Sequence, residues 1–510
     1  MVKQSPVVVV GSGVGGLVSA LALAAQGLEV LVLEAAATPG GKLRQVALGG
    51  SQLDAGPTVF TMRWVFEALF EQIGETLSDH LRLEPVGTLA RHAWDAQGHL
   101  DLFADVRQSA DAIANWSGAQ EAQRYLDFCE RARGIFDTLD RPFLQNSRPN
   151  PISLALRVAR QSVRGLGRIS PFSSMWRELG SYFHDPRLRQ LFGRYATYCG
   201  SSPFMAPATL MLVAHVEQQG VWLLEGGMHR LARVLEQLAR QRGVVFRYDT
   251  PVAQVTVQGG RACGVQLADG ETLPAQAVIF NGDVAALGAG LLGPAAMSAS
   301  AATPPGQRSL SAITWNRVVP ASGFPLLRHN VFFSGDSSDE FGALFQRGEV
   351  PNPPTVYVCA LDRGDAATEG GTAPERLLCL VNAPARGDDP SHGLFTEPAL
   401  RRIETAMRRR LSDCGLVLGA ETDPAVCATP ETFNRLFPGT GGALYGRASH
   451  GWAASFARPG ARSRLPGLYL TGGSTHPGPG VPMAALSGQQ AAASVLDDLG
   501  RASLTSRRHP

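Results

Sequence analysis

The run from Val7 to Val59 constrains this chain more than any other: VVVVGSGVGGLVSALALAAQGLEVLVLEAAATPGGKLRQVALGGSQLDAGPTV. The β-branched run Val7 to Val10 predicts a strand, the glycines a turn, the small apolar residues a helix, and Glu29 to Leu33 a second strand that ends in an acid. That order is what a dinucleotide site needs. Gly11 permits the tight turn, Gly13 lets the backbone approach a pyrophosphate, and Gly16 lets helix and strand pack closely, with Ser12 and Gly15 completing the loop. The helix N-terminus then faces the phosphates. Glu34, 23 residues past Gly11, can accept both hydroxyls of an adenosine ribose and would repel a 2′-phosphate, which disfavours NADP. An ordinary glycine turn would explain the glycines alone, but not strand, turn, helix, strand and acid in register.

A second glycine cluster follows, Gly40-Gly41-Lys42, and after a short polar hairpin-like stretch comes Asp54-Ala55-Gly56-Pro57-Thr58-Val59. In these residues the chain resembles the flavoprotein superfamily that holds the amine oxidases, the phytoene desaturases and the Rab escort proteins. The resemblance implies FAD, with Gly41, Lys42, Pro57, Thr58 and Val59 among its contacts. Lys3 and Lys42 are the two lysines among 46 basic residues, so Lys42 points to a site that wants an ammonium. An exposed lysine by accident is the competing reading.

With 510 residues, two or three lobes sharing a large core are expected. A net charge of +2 argues against a nucleic-acid partner. Seven scattered cysteines without a CxxC pair support neither a disulfide framework nor a zinc site, and suit a reducing, cytoplasmic location. Pro6 to Ala25 is apolar, but its glycines and place in the fingerprint make it strand and helix, and no other run is apolar for the ~20 residues a spanning helix requires.

The expected fold class is α/β, a Rossmann-like FAD-binding domain interleaved with an α+β substrate domain. Residues 1–60 form the first part of the FAD domain, 61–215 a mostly helical substrate- and membrane-facing block, and 216–290 the second FAD part. Residues 291–455 supply a substrate-domain sheet, 456–500 the last FAD part, and 501–510 a disordered polar tail. In the second part, the superfamily resemblance gives Val252 a backbone contact to adenine, and Asn281 and Asp283 end a buried strand, Ala277 to Phe280, at the cofactor. Val252 reads equally well as a core valine.

The third cofactor element is LPGLYLTGGSTHPGPGVPMAALSGQQAAASVL, residues 465 to 496. Leu468 to Leu470 reads as a strand, Gly472 and Gly473 turn the chain, and Val481 opens a helix whose N-terminus can meet the flavin. The Thr475-His476-Pro477-Gly478-Pro479-Gly480-Val481-Pro482 stretch resembles the phytoene desaturase group, and implies that Gly473, Gly480, Val481 and Pro482 close the site. Between a turn and two prolines, His476 reads as a local hydrogen-bonding residue rather than a base. Over nearly the whole chain the sequence is similar to the bacterial carotenoid desaturases. His329 to Ser334, Leu380 to Pro384, Ala443 to Gly446 and Ser449 to Trp452 resemble the subgroup that desaturates carbons 3 and 4 of 1-hydroxy or 1-methoxy acyclic carotenoids.

What the resemblance implies is flavin-dependent desaturation of an acyclic carotenoid, with quinone or dioxygen as electron acceptor. Phytoene desaturation, amine-oxidase-like chemistry and flavin-free lipid carriage are the alternatives. The sequence has no GxSxG elbow, no HExxH and no candidate metal cluster. Glu225, His229 and His450 are candidate proton acceptors, though Glu225 also reads as a helix cap, His229 as a helix-surface residue and His450 as a loop anchor beside Trp452. Phe332, Phe333, Tyr445, Trp452 and Phe456 are candidate tunnel walls or simply core.

A lipid-soluble substrate must be collected from a bilayer, and residues 152–168 suit that task. Ile152, Leu156, Ala159, Val163 and Leu166 make one stripe, and Arg157, Arg160, Arg164 and Arg168 its neighbour, as in a helix lying in a membrane surface. A basic amphipathic helix packed on the protein is the other reading. Peripheral membrane association is therefore expected.

Overall fold

The computed structural model describes residues 5–145, 172–364, 373–421 and 423–500. Strand β1 (Val7–Val10), helix α1 (Val14–Ala25) and strand β2 (Val30–Leu33) form in the order their residues require. The sheet order is Val245–Arg247, β2, β1, Ala277–Phe280, Leu468–Leu470, and every pairing is parallel. These strands are covered on both faces, which is why they read as continuous apolar runs rather than as alternation. Segments far apart in the chain therefore share one sheet, with its carboxyl ends gathered at one edge.

Helix α1 lies against helix α2 (Val481–Asp498) at very short range. A Cβ at Gly488 would come within 2.9 Å of Val18 Cβ, and Ser19 Oγ donates to the carbonyls of both Gly15, at 2.8 Å, and Gly488, at 3.0 Å. The small residues of both helices permit this approach. They fix α2, and hence its N-terminus, relative to the first glycine turn.

An antiparallel unit, Val252–Gln258, Arg261–Leu267 and Thr272–Pro274, stands beside the parallel sheet. The other lobe is a seven-stranded sheet in the order Val426–Ala428, Ser311–Val319, Glu375–Ala383, Val356–Ala360, His329–Phe332, Thr88–Asp95, Gly98–Phe103. Its last two strands come from the block whose pattern reads as mostly helical. Their hairpin turns at Ala96-Gln97, and the alternation in TLARHAWD and GHLDLF, a two-residue period, puts them in the sheet. From Val106 onward that block is helical, with Val106–Ser117, Ala119–Leu139, Met175–Tyr182, Pro186–Gly193 and Leu212–Gln218. Residues 152–168 and the 501–510 tail lie outside the described residues. Among the described residues no helix is long and apolar enough to cross a membrane.

Candidate cofactor and substrate site

One cavity of about 1050 Å³ runs from the carboxyl edge of the parallel sheet into the space between the seven-stranded sheet and the helical layer. Gly11, Gly13, Gly15, Glu34, Gly41, Lys42, Pro57, Thr58, Val59, Val252, Asn281, Asp283, Gly473, Gly480, Val481 and Pro482 all line it. Ser12 and Gly16 stand behind the turn. Ser12 is fully buried and hydrogen-bonds to Glu34, and a Cβ at Gly16 would collide with the Gly11 carbonyl oxygen. Gly16 therefore serves the strand–helix contact and not the cavity wall.

Both helices open onto this cavity with no side-chain cap: Gly13 is the N-cap of α1 and Gly480 that of α2. Their first N–H groups remain available to an anion or an electron-rich ring edge. Asp283 caps Val284–Gly288 through Oδ1, which accepts from the Ala285 N–H at 3.0 Å, while its buried Oδ2 has no partner among the described residues. A buried acceptor without a partner is what a bound hydroxyl or N–H satisfies. Lys42 Nζ donates to the Leu444 carbonyl at 2.5 Å and lies 5.2 Å from the Phe437 ring centroid. Burial pulls its pKa down, with Asp283 opposing. The glycine-rich turn, the uncapped helix starts, the Glu34 carboxylate and the orphaned Asp283 oxygen together fit FAD.

The three candidate proton acceptors do not meet this cavity. Glu225 is largely exposed and lies 3.7 Å from Arg82. The ring of His229 shares a hydrogen bond with the Pro39 carbonyl at 3.0 Å, pinning the second glycine cluster. His450 Nε2 accepts from the Ser202 N–H at 3.1 Å and packs edge-on against Phe345, and burial lowers its pKa to about 4. Each holds backbone or faces water, so none stands where a reacting carbon would lie. His476, 2% exposed, likewise shares a hydrogen bond with the Phe143 carbonyl at 2.9 Å. Of the aromatic set, Tyr445, Trp452 and Phe456 line the cavity, whereas Phe332 and Phe333 are core.

Sequence reasoning missed a polar cluster in the mostly apolar part of the wall. Arg194 and Tyr198 come from the turn Arg194–Cys199, Glu217 from the helix Leu212–Gln218, and Tyr357 from a strand of the large sheet. Tyr195 donates to Glu217 Oε2 at 2.6 Å, and Arg194 Nη1 to Tyr198 Oη at 3.1 Å. Arg194 also lies over the Tyr357 ring at 5.6 Å, and Tyr357 Oη meets Thr58 Oγ1 at 2.7 Å and His329 Nδ1 at 2.8 Å. Burial pushes the Glu217 carboxyl up, with Tyr195 and Arg194 opposing.

Comparison with known proteins accords with this geometry. A family model described as flavin containing amine oxidoreductase matches residues 14–319. A hydroxyneurosporene desaturase of Rubrivivax gelatinosus is 54% identical over 98% of this chain and 95% of its own, and that of Cereibacter sphaeroides is 45% identical over 97% and 98%. A 4,4′-diapolycopene oxygenase of Methylomonas is 29% identical over 97% and 98%. Among solved structures, cyclohexylamine oxidase from Brevibacterium oxydans aligns with a TM-score of 0.58 over 98% of this chain and all of that one, at 16% identity, a likeness of fold. The chain belongs to the flavin-containing amine oxidoreductase family, is an FAD-dependent oxidoreductase, and groups within that family with the carotenoid desaturases.

Proposed function

We propose that this chain removes two hydrogens across carbons 3 and 4 of an acyclic carotenoid with a hydroxyl or methoxyl group on carbon 1, such as 1-hydroxyneurosporene. The observation that carries the reading is the cavity, which is a nucleotide cradle at one end and a mostly apolar space, with a polar cluster on its wall, beyond it. Leu210, Val213, Val216, Leu378, Leu380 and Met483 supply walls that a polyene can wet and water cannot.

Bound FAD supplies the two-electron acceptor for C–H cleavage. Gly11, Gly13, Gly15 and Glu34 would hold its adenosine end, and Lys42, Asp283, Gly473, Gly480, Val481 and Pro482 would stand around the rest. The walls orient the polyene and exclude water. Positive charge left on a carbon next to a long conjugated system is delocalised, so loss of the neighbouring proton makes little demand for a strong base.

Collection of the substrate from a bilayer is assigned to residues 152–168, on their paired apolar and arginine stripes. Phe172 and Trp452 support this: 83% and 48% exposed, they stand edge to face at 5.8 Å and line the cavity. A quinone, leaving as quinol, or dioxygen, leaving as hydrogen peroxide, would take up the two electrons removed. The test is product analysis after incubating the holoenzyme with 1-hydroxyneurosporene or phytoene in liposomes. A product two hydrogens lighter from the hydroxylated substrate is expected. Turnover of phytoene alone would make the chain a phytoene desaturase, and turnover of neither, with no flavin retained, a carrier.

A further inference from the structure

Arg194, Tyr198, Glu217 and Tyr357 are an expensive thing to place in a hydrocarbon tunnel. A guanidinium and a carboxylate held in such a tunnel give up much of their hydration, and contact with a plain polyene returns none of it. All four line the cavity and are half-buried, set deep among packed side chains. The carboxylate accepts from Tyr195 through Oε2 at 2.6 Å and stands beside the Tyr198 phenol. With about four lone-pair sites, a carboxylate keeps acceptor capacity for a further donor. The guanidinium has five N–H donors, and its one hydrogen bond to the described residues ends on Tyr198 Oη at 3.1 Å.

We propose that this cluster is the anchor for the oxygen on carbon 1 of the substrate, a reading that rests on the function proposed above. Glu217 accepts a hydrogen bond from the tertiary hydroxyl, and Arg194 donates to its oxygen, with Tyr198 holding the two in place. Position supports the assignment. The substrate oxygen is separated from the reacting carbon 3 by carbons 1 and 2 only, so its anchor must stand close to the cofactor. Here Arg194 lies over Tyr357, whose hydroxyl is 2.7 Å from Thr58, in the segment assigned to the flavin cradle. The anchor also explains discrimination: a hydrocarbon end group would leave Arg194 and Glu217 buried against carbon, and sites built to hydrogen-bond a substrate hydroxyl reject analogues that lack it.

The experiment compares kcat/KM for 1-hydroxyneurosporene with that for neurosporene, in wild type, Glu217→Gln, Arg194→Met and Tyr198→Phe, using holoenzyme with liposomal substrate. Flavin content and Tm are recorded for every variant, so that folding and cofactor defects are separated from specificity. The wild-type ratio favours the hydroxylated compound, and in Glu217→Gln and Arg194→Met it falls about ten- to a hundredfold, the worth of one charge-assisted hydrogen bond. Tyr198→Phe, the mildest change, lowers it less. For 1-methoxyneurosporene, which has no O–H to donate, Arg194→Met is more damaging than Glu217→Gln. A ratio unchanged in the three variants overturns the anchor, and so does an equal loss on both substrates in Glu217→Gln, which would make Glu217 a proton acceptor. A wild type that acts on phytoene but on no oxygenated substrate overturns the functional reading and the anchor with it.

Discussion

Both donors of Ser12 converge on a single oxygen of Glu34: the N–H reaches Oε2 at 2.6 Å and Oγ reaches it at 2.8 Å. Oε1 accepts from the Ala36 N–H at 2.9 Å. The acid at the end of β2 is thus clamped to the glycine turn after β1, and its remaining lone pairs face the cavity. A ligand with vicinal hydroxyls meets a carboxylate that is already oriented.

Glu34→Gln should therefore weaken FAD retention by roughly ten- to a hundredfold, because it removes a charged acceptor and turns an amide toward Ser12. Ser12→Ala should show a smaller loss. Flavin absorbance per chain after gel filtration at low concentration measures both. Full retention in Glu34→Gln would contradict the ribose role.

Gly16→Ala would put a methyl group into the Gly11 carbonyl. The helix must move off the strand, at a cost of about 2–4 kcal/mol. Gly134, within Ala119–Leu139, has open space where a methyl group would stand, so Gly134→Ala should instead stabilise by roughly 0.5–1 kcal/mol. Urea titration of the pair should show opposite signs.

Arg317, 0% exposed, is held by Glu404 at 2.6 Å and by Glu421. It points away from the cavity, because the strand alternates and Thr314 faces in. Arg317→Ala empties a fully buried site and leaves Glu404 and Glu421 paired with Arg408 alone, and should cost about 2–4 kcal/mol. The ratio of hydroxylated to parent substrate turnover should not change.

Buried histidines set the acid limit. Desolvation lowers His92 and His329 from 6.5 to about 3, and His450 to about 4. Below pH 6.5 the unfolded chain binds protons at these sites that the folded one refuses, so stability present above that pH is lost as the pH falls toward the folded values. Tm should decline between pH 6.5 and 5, with these three rings accounting for about three of the protons taken up on unfolding at the lower end. His92→Gln should remove about one of them, and a flat Tm across this window would count against the burial of these rings.

The nucleotide cradle is legible in the sequence because each of its parts is local: Gly11, Glu34 and Gly480 announce themselves through neighbours a few residues away. The strand Thr88–Asp95 is marked only by its alternation, which the longer helical signals around it outweigh. Arg194, Glu217 and Tyr357 are not legible. They lie on three elements with nothing in their neighbours to mark them, and only the packing of the turn Arg194–Cys199 against Leu212–Gln218 and the large sheet brings them to one wall. Glu225, by contrast, has a suggestive local sequence and a solvent-facing side chain. Motif context predicts backbone cradles well because the chain builds them from contiguous residues, and side-chain clusters poorly because tertiary convergence builds them.

The reaction proposed for this chain requires that the carotenoid itself reduce the flavin. Mixing the holoenzyme anaerobically with liposomal 1-hydroxyneurosporene, while following the flavin and polyene bands together, tests it directly. The flavin should bleach as the polyene bands move to longer wavelength, with one desaturated product per flavin reduced. A flavin that stays oxidised beside an unchanged polyene spectrum would contradict it.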